Sequence, residues 1–155
     1  MKTLICMVSM SAAWLVACAT TPSSAPIIVS SETVAKLQTR QWELKSITLD
    51  SHDSVMDLEA KMTLAFGADG KVTGYSAVNQ FNGAYSFSPD GRLSWPGAGL
   101  ITTRKAGPPE LMEQERTYLR ALPKTDRAIL KGRALLLQND GESTVLTFVE
   151  AGYPQ

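Results

Sequence analysis

The feature that most constrains the fold is a run of alternating apolar residues, broken by glycine-containing turns, between residues 62 and 95. Met62, Leu64 and Phe66 alternate with polar or small neighbours, which predicts a strand with one buried face. Residues 67–70 (GADG) predict a hairpin turn, because Asp-Gly favours the positive φ angles of such turns. Residues 72–78 then supply the returning strand. This pattern predicts antiparallel sheet.

The same signals continue in both directions along the chain. We predict a turn at residues 81–83, a strand at 84–87 and a hairpin turn at 89–91, after which Leu93 and Trp95 continue the meander. Further strand-like segments are residues 41–49, 127–130, 134–138 and 144–149, the last two being joined by a turn at 139–142.

Residues 108–122 change from the period of a strand to that of a helix. The apolar face of this predicted helix comprises Leu111, Met112, Tyr118, Leu119 and Leu122, with Glu115 on or beside it. Two prolines suit its first turn and Pro123 should end it. One or two helical turns, capped by Ser31, are also predicted at residues 31–37. The predicted fold is therefore α+β: a mostly antiparallel sheet, a meander partly closed like a barrel, with one principal helix packed on it.

Residues 1–17 are typical of a lipoprotein signal peptide. A positive start precedes an apolar run of about 13 residues, which as a helix would span about 20 Å and is too short for a bilayer core of about 30 Å. Residues 15–18 (LVAC) resemble the lipobox of bacterial lipoproteins, which implies that Cys18 carries a diacylglycerol and becomes the first residue after cleavage. The alternative is an ordinary cleaved signal in which Cys18 is incidental.

The segment after Cys18 predicts how the domain is held. Residues 19–31 are rich in Ser, Thr, Pro and Ala and carry no charge, so we interpret residues 18–38 as the lipidated cysteine and a flexible tether. Residues 39–150 form the domain and 151–155 a tail. Ala19 stands where Asp would retain a Gram-negative lipoprotein in the inner membrane. By that resemblance, we expect outer-membrane anchorage with the domain facing the periplasm.

Charge and cysteine content exclude several classes of function. The chain has 15 basic and 15 acidic residues, so it gives no reason to expect nucleic acid as a partner. Both cysteines, Cys6 and Cys18, precede the domain, which therefore has neither a disulfide nor a thiolate metal site. We expect no cofactor and no metal. The oligomeric state is left open.

The segment from Gly74 to Tyr85 resembles the Gly-x-x-x-Cys-Asn-x-x-x-Gly-x-Tyr motif of the META domain, or HslJ-like, family. The residues that carry this and the surrounding resemblance are Trp42, Gly74, Asn79, Gly83, Tyr85, Thr103 and Glu115. The chain departs from the family pattern at Val78 and Gly107, where many members have cysteine. The resemblance implies that these cysteines pair in relatives. Because both cysteines are missing here, a redox role that relatives suggest cannot apply to this chain.

The motif residues allow two interpretations. In the favoured one they are architectural: the side chains of Asn79 and Asn82 bond the backbone of a tight turn, Gly83 adopts a positive φ, and Tyr85 packs with its hydroxyl satisfied. The alternative is a recognition surface built on that turn. Glu115 is expected to accept hydrogen bonds from Thr103 or from a backbone segment, rather than to act as a general base.

Two loops are weaker candidates. His52 follows Asp50 and precedes Asp53 and Asp57, so a cation site is conceivable, but a solvated polar loop at residues 52–54 is favoured. The apolar, glycine-rich segment 96–101 either routes the chain or lines the mouth of a cavity, and we favour routing.

Together these features predict a non-enzymatic, membrane-anchored lipoprotein of the cell envelope. The family resemblance implies an accessory role in envelope stress or drug tolerance. The alternatives are a carrier that encloses a lipid or acyl tail among Leu64, Val72, Leu111 and Leu119, or a pilot or assembly factor for an envelope protein. An enzyme is the least favoured hypothesis, because no nucleophile–base pair can be recognised from spacing.

Overall fold

The computed structural model describes residues 27–28, 31–50, 52–54 and 60–152 of the chain. Its elements, in chain order, are β1 Ile27–Ile28, α1 Ser31–Gln38, β2 Gln41–Leu49, β3 His52–Ser54, β4 Met62–Phe66, β5 Lys71–Ser76, β6 Gln80–Ala84, β7 Ser86–Phe87, β8 Leu93–Ser94, β9 Ile101–Thr102, α2 Pro109–Ala121, a 3₁₀ turn Leu122–Lys124, β10 Arg127–Lys131, β11 Ala134–Gln138 and β12 Thr144–Glu150.

Ten of the described strands form one antiparallel sheet in the order β1-β10-β11-β12-β2-β4-β5-β6-β9, with β3 beside the end of β2. The remaining two, β7 and β8, form a separate ribbon. The sheet is not closed by a continuous ladder within the described residues. The ribbon reaches β10 through an isolated bridge between Arg92 and Arg127. The α+β prediction is therefore confirmed. The sheet is open, and this one bridge is the contact that links the ribbon to β10 by backbone pairing within the described residues.

Helix α2 covers the inner face of the sheet through three side chains. Glu115, Tyr118 and Ala121 are buried, because their spacing places them on one face of the helix. The Tyr118 ring contacts Phe81 edge-on and also packs against Phe148, joining both halves of the sheet. The helix ends at Ala121, and Pro123 lies within the 3₁₀ turn that follows. The predicted principal helix is thus confirmed.

Helix α1 closes the other end of the core. Its Leu37 is fully buried. The indole N–H of the fully buried Trp42 donates to the carbonyl of Leu37 at 3.3 Å. These contacts make α1 part of the folded domain, which therefore extends N-terminally of residue 39.

Two predicted local structures are wrong. Residues 52–54 are not a loop but the strand β3, which pairs with Ile47–Leu49 because the chain doubles back at Asp50, where φ is 50°. Residues 81–83 are not a turn but the middle of β6. The reversal occurs earlier: Ala77 has a φ of 80° and the Ser76 N–H donates to the Asn79 carbonyl at 2.8 Å.

This earlier reversal also shortens two predicted strands. β5 ends at Ser76 rather than Val78, and Ala84 belongs to β6 rather than to the strand that follows. The other predicted hairpins are confirmed. Gly70 and Gly91, with φ angles of 75° and 81°, provide the turns after β4 and β7.

Candidate functional site

The densest polar cluster surrounds the carboxylate of Glu115, which α2 directs toward the reversal between β5 and β6. Glu115 is only 6% exposed. Its Oε2 accepts from the Ser76 hydroxyl at 2.9 Å and from the Asn79 backbone N–H at 2.8 Å. Its Oε1 accepts from the Asn79 Nδ2 at 2.8 Å. Three donors therefore occupy the two carboxylate oxygens, as a buried charge requires.

Asn79 extends this cluster to the segment that follows β9. Its Oδ1 accepts from the Thr103 hydroxyl and from the Lys105 N–H, both at 2.7 Å. Its Nδ2 also donates to the Lys105 carbonyl at 3.2 Å. We call Ser76, Asn79, Thr103 and Glu115 the Glu115 clamp. It fastens three segments that are distant in sequence: the β5–β6 reversal, the stretch after β9, and α2.

The expected partners of Glu115 are partly confirmed. A backbone N–H does bond its carboxylate, but the donor belongs to Asn79. Thr103 bonds the side chain of Asn79 and not Glu115 itself. Asn79 therefore bridges between segments rather than closing its own turn, and the prediction of a turn-closing Asn side chain is wrong for this residue.

The two motif glycines are explained by close packing, and the predicted positive φ of Gly83 is wrong. A Cβ at Gly74 would lie 2.2 Å from the Thr63 carbonyl oxygen and 2.4 Å from Phe81 Cζ. A Cβ at Gly83 would lie 2.8 Å from Leu100 Cδ2. Gly83 has extended backbone because it is inside β6 and not at a turn. Each glycine leaves room for a neighbouring side chain.

Tyr85 behaves as the architectural interpretation predicts. Its hydroxyl donates to the Gly67 carbonyl at 2.7 Å and accepts from Gln38 Nε2 at 2.8 Å. Its ring meets Phe66 and Phe87 edge-to-face, with centroids 4.8 and 5.7 Å apart. Burial raises the pKa of the Tyr85 phenol, because the charged form would lose its hydration. Tyr85 thus ties the β4–β5 turn to α1.

The positions that depart from the family pattern lie side by side. An ideal Cβ on Gly107 would lie 3.5 Å from the Val78 Cβ and 2.7 Å from one Val78 methyl carbon. Disulfide-bonded cysteines have Cβ atoms about 3.5–4.5 Å apart. The placement supports the inference that cysteines at these two positions would pair, and here the valine side chain fills that space instead.

The outward face of the sheet carries a feature that sequence reasoning missed. An open depression of about 550 Å³ runs across β4, β5, β6 and β9 and reaches the start of β2, on the face of the sheet away from the core. We call it the outer groove, and its lining is Gln41, Thr63, Ala65, Thr73, Gly74, Tyr75, Gln80, Phe81, Asn82, Ile101, Thr102 and Thr103. The side chains come together only through cross-strand register, which residue spacing does not reveal.

Asn82 and Ile101, the last residue of the glycine-rich segment, belong to this face. Asn82 is exposed on β6 and bonds no turn, so the prediction made for its side chain is wrong. Residues 96–100 route the chain to β9 through positive φ angles at Gly97 and Gly99. Leu100 packs against Gly83, and Ile101 lines the outer groove.

Other candidate residues lie wholly or partly outside the described residues. Cys18 and Asp57 fall outside them, and for His52 and Asp53 only the backbone is described. Within the described part of the chain, no group of three His, Cys, Asp or Glu side chains is arranged to hold a metal ion. In that same part, neither helix has the length and apolar character needed to cross a bilayer.

Comparison with known proteins identifies the fold. The sequence model of the META domain matches residues 35–152. The chain belongs to the META domain family. All residues of the Glu115 clamp, together with Trp42 and Tyr85, lie within the matched META domain.

Solved structures share the architecture of this META domain. A protein from Burkholderia xenovorans, solved by NMR, is 26% identical, with a TM-score of 0.64 over 86% of this chain and 96% of its own. A DUF4847-family protein from Bacteroides vulgatus is 13% identical, with a TM-score of 0.57 over 76% of this chain and 96% of its own. Another NMR structure is 23% identical, with a TM-score of 0.53 over 76% and 93% of the two chains. The latter two similarities concern the fold alone. No protein of curated function matches significantly.

Proposed function

We propose that this META-domain protein is a non-enzymatic lipoprotein of the cell envelope, anchored through Cys18 and serving an accessory role in envelope stress or drug tolerance. The observation that carries the non-enzymatic part is the Glu115 clamp. Both oxygens of the one deeply buried carboxylate on α2 are occupied by donors from within the domain. A general base must lie within hydrogen-bond reach of the proton that it abstracts, whereas Glu115 is only 6% exposed and its carboxylate bonds donors inside the domain. Glu115 instead holds three segments of the fold together.

The anchoring part is supported by the sequence of the N-terminus. Cys18 follows the lipobox-like residues 15–17, and the chain has no cysteine after it. Several acyl chains on one residue hold a protein on a membrane, whereas a single chain binds only marginally. Ala19 favours sorting to the outer membrane, with the domain facing the periplasm.

Metabolic labelling with palmitate tests the anchor, and the chain supplies a matched control. Cys6→Ala changes a cysteine in the same N-terminal segment, but away from the lipobox-like residues. We expect Cys18→Ala to lose both the label and membrane association, and Cys6→Ala to keep them. Equal labelling of the two variants would contradict anchorage at Cys18.

The accessory role is tested in a strain that lacks the gene. We expect this strain to grow poorly under heat or antibiotic challenge and normally without it. Wild-type protein should restore growth, and Cys18→Ala should not. A Glu115→Gln variant that folds and reaches the membrane should also restore growth, since the carboxylate has no chemical step to perform. Loss of complementation by such a folded variant would revive the enzymatic hypothesis.

The accessory role is preferred to a carrier of hydrophobic ligands because of where the proposed cavity-lining residues lie. Leu64 and Val72 are fully buried in the common core, while Leu111 and Leu119 are partly buried and pack against that core. The outer groove is on the opposite side of the sheet and is lined mainly by polar side chains. An acyl tail would need an apolar enclosure.

A further inference from the structure

The outer groove is built from two cross-strand rows of side chains that point away from the core. One row joins Thr63, Tyr75 and Gln80. The other runs from Gln41 through Ala65, Thr73 and Asn82 to Ile101. Neighbouring strands are about 4.8 Å apart, so this longer row spans about 19 Å. The groove is therefore an elongated surface with a regular lateral repeat.

The groove lining carries no charge. None of its lining residues is Asp, Glu, Lys, Arg or His, although a fifth of the chain is charged. A nucleic acid, a phospholipid head group or an acidic peptide would find no opposite charge here. Electrical neutrality favours a ligand that is itself uncharged.

The polar side chains of the groove are available for binding. Within residues 31–50 and 60–152, the side chains of Thr73, Gln80 and Asn82 make no hydrogen bond. Each amide offers two donors and an accepting oxygen, and the hydroxyl both donates and accepts. Such groups complement the hydroxyl groups of a ligand, which also both donate and accept hydrogen bonds.

Two apolar side chains complete the surface. Tyr75 is 37% exposed and Ile101 is 62% exposed, and they are the large hydrophobic residues that the described part of the chain leaves open to solvent. Both lie in the outer groove. A tyrosine face offers a flat apolar area with little conformational entropy to lose. The groove thus combines an aromatic platform with unpaired amides and hydroxyls.

We propose that the outer groove binds an uncharged oligosaccharide. A sugar ring has an apolar C–H face, which would lie on Tyr75, and a rim of hydroxyls, which would bond Thr73, Gln80 and Asn82. The groove volume of about 550 Å³ lies in the range of small-ligand sites, about 300–1,000 Å³. A protein partner is disfavoured, because the centre of a protein interface is apolar and here the middle residue of the longer row is the polar Thr73. This site is independent of the proposed accessory role.

The test uses the full lipidated protein, solubilised in a polyoxyethylene detergent that carries no sugar. It is applied to an array of neutral and charged oligosaccharides, and binding of tri-N-acetylchitotriose is then measured by calorimetry. We expect neutral oligosaccharides to be retained in preference to charged ones. Tyr75→Ala and Asn82→Ala should each weaken binding at least tenfold. Tyr75→Phe, which keeps the ring, should weaken it less than threefold.

Thr147 provides a matched control for Thr73. Both are strand threonines outside the core, but Thr147 lies on β12, beyond the groove. Thr73→Ala should weaken binding and Thr147→Ala should leave it unchanged, with both variants melting like wild type. Absence of binding to every neutral oligosaccharide would overturn the proposal. So would unchanged binding by folded Tyr75→Ala, or self-association of the wild type that Tyr75→Ala abolishes.

Discussion

Replacing Glu115 by alanine should destabilise the META domain severely, because one buried hydrogen-bond donor of the clamp would lose its acceptor. Among the described residues, the Asn79 N–H donates only to Glu115 Oε2. An unsatisfied buried donor costs about 1–3 kcal/mol. The Ser76 hydroxyl and Asn79 Nδ2 keep second acceptors, the Asn79 and Lys105 carbonyls, so each loses about 0.5–1.5 kcal/mol. We expect a total loss of about 2–6 kcal/mol.

Urea unfolding followed by Trp fluorescence measures this loss, since the fully buried Trp42 becomes exposed to water on unfolding. The matched control is Glu113→Ala, which removes an exposed carboxylate from the same helix together with its ion pair to Arg116. That control should change the free energy of unfolding by less than about 0.5 kcal/mol.

Glu115→Gln refines the test. A glutamine oxygen in the place of Oε2 would still accept from Asn79 N–H and Ser76, but its amide nitrogen would then face the Asn79 Nδ2 donor. We expect a loss between those of Glu113→Ala and Glu115→Ala. If Glu115→Ala unfolds at the same urea concentration as Glu113→Ala, the clamp does not stabilise the domain and our reasoning is refuted.

Three further predictions follow from other parts of the fold. Burial raises the pKa of both Tyr85 and Tyr118 above the ordinary value of 10, so the unfolded chain releases these protons first. The free energy of unfolding should therefore fall as pH rises above 10, by up to about 1.4 kcal/mol per pH unit for each tyrosine. Unfolding measurements between pH 9 and 11 check this, and the free energy of unfolding of Tyr118→Phe should fall less steeply with pH than that of wild type. A Val78→Cys, Gly107→Cys double variant should form a disulfide that closes a loop of about 30 residues and adds about 3–4 kcal/mol to the free energy of unfolding. This gain should appear as a rise in Tm that reductant removes. A free-thiol assay that finds both introduced thiols after oxidation would contradict the pairing. Ala19→Asp should move the protein from the outer to the inner membrane in density-gradient fractionation, and unchanged migration would contradict the proposed sorting.

Local periodicity predicted most of the sheet and the principal helix. The hairpin of β4 and β5 has clean alternation and an Asp-Gly turn, and α2 has an apolar face at helical spacing. The prediction of a turn at residues 81–83 was wrong because the local sequence signals were misleading there. Its reversal uses a non-glycine residue, Ala77, while the Asn82-Gly83 dipeptide that is typical of turns lies inside β6. Gly83 is there to admit Leu100, a tertiary contact that no local pattern indicates.

The sites show the same division between local and tertiary information. The family resemblance identified Asn79 and Glu115 as important residues, but it did not show that they contact each other 36 positions apart. The outer groove gave no sequence signal, because its two rows arise from the register of five strands. Register is fixed by burial of the opposite face of each strand, so the outward rows follow from the core.

Mass spectrometry of the protein extracted from membranes tests most directly whether Cys18 anchors this META domain to a membrane. We predict that the N-terminal peptide begins at Cys18 and carries a diacylglyceryl group on its thiol and an acyl group on its amine. A mature protein that begins elsewhere, or that begins at Cys18 with an unmodified thiol, would contradict the claim.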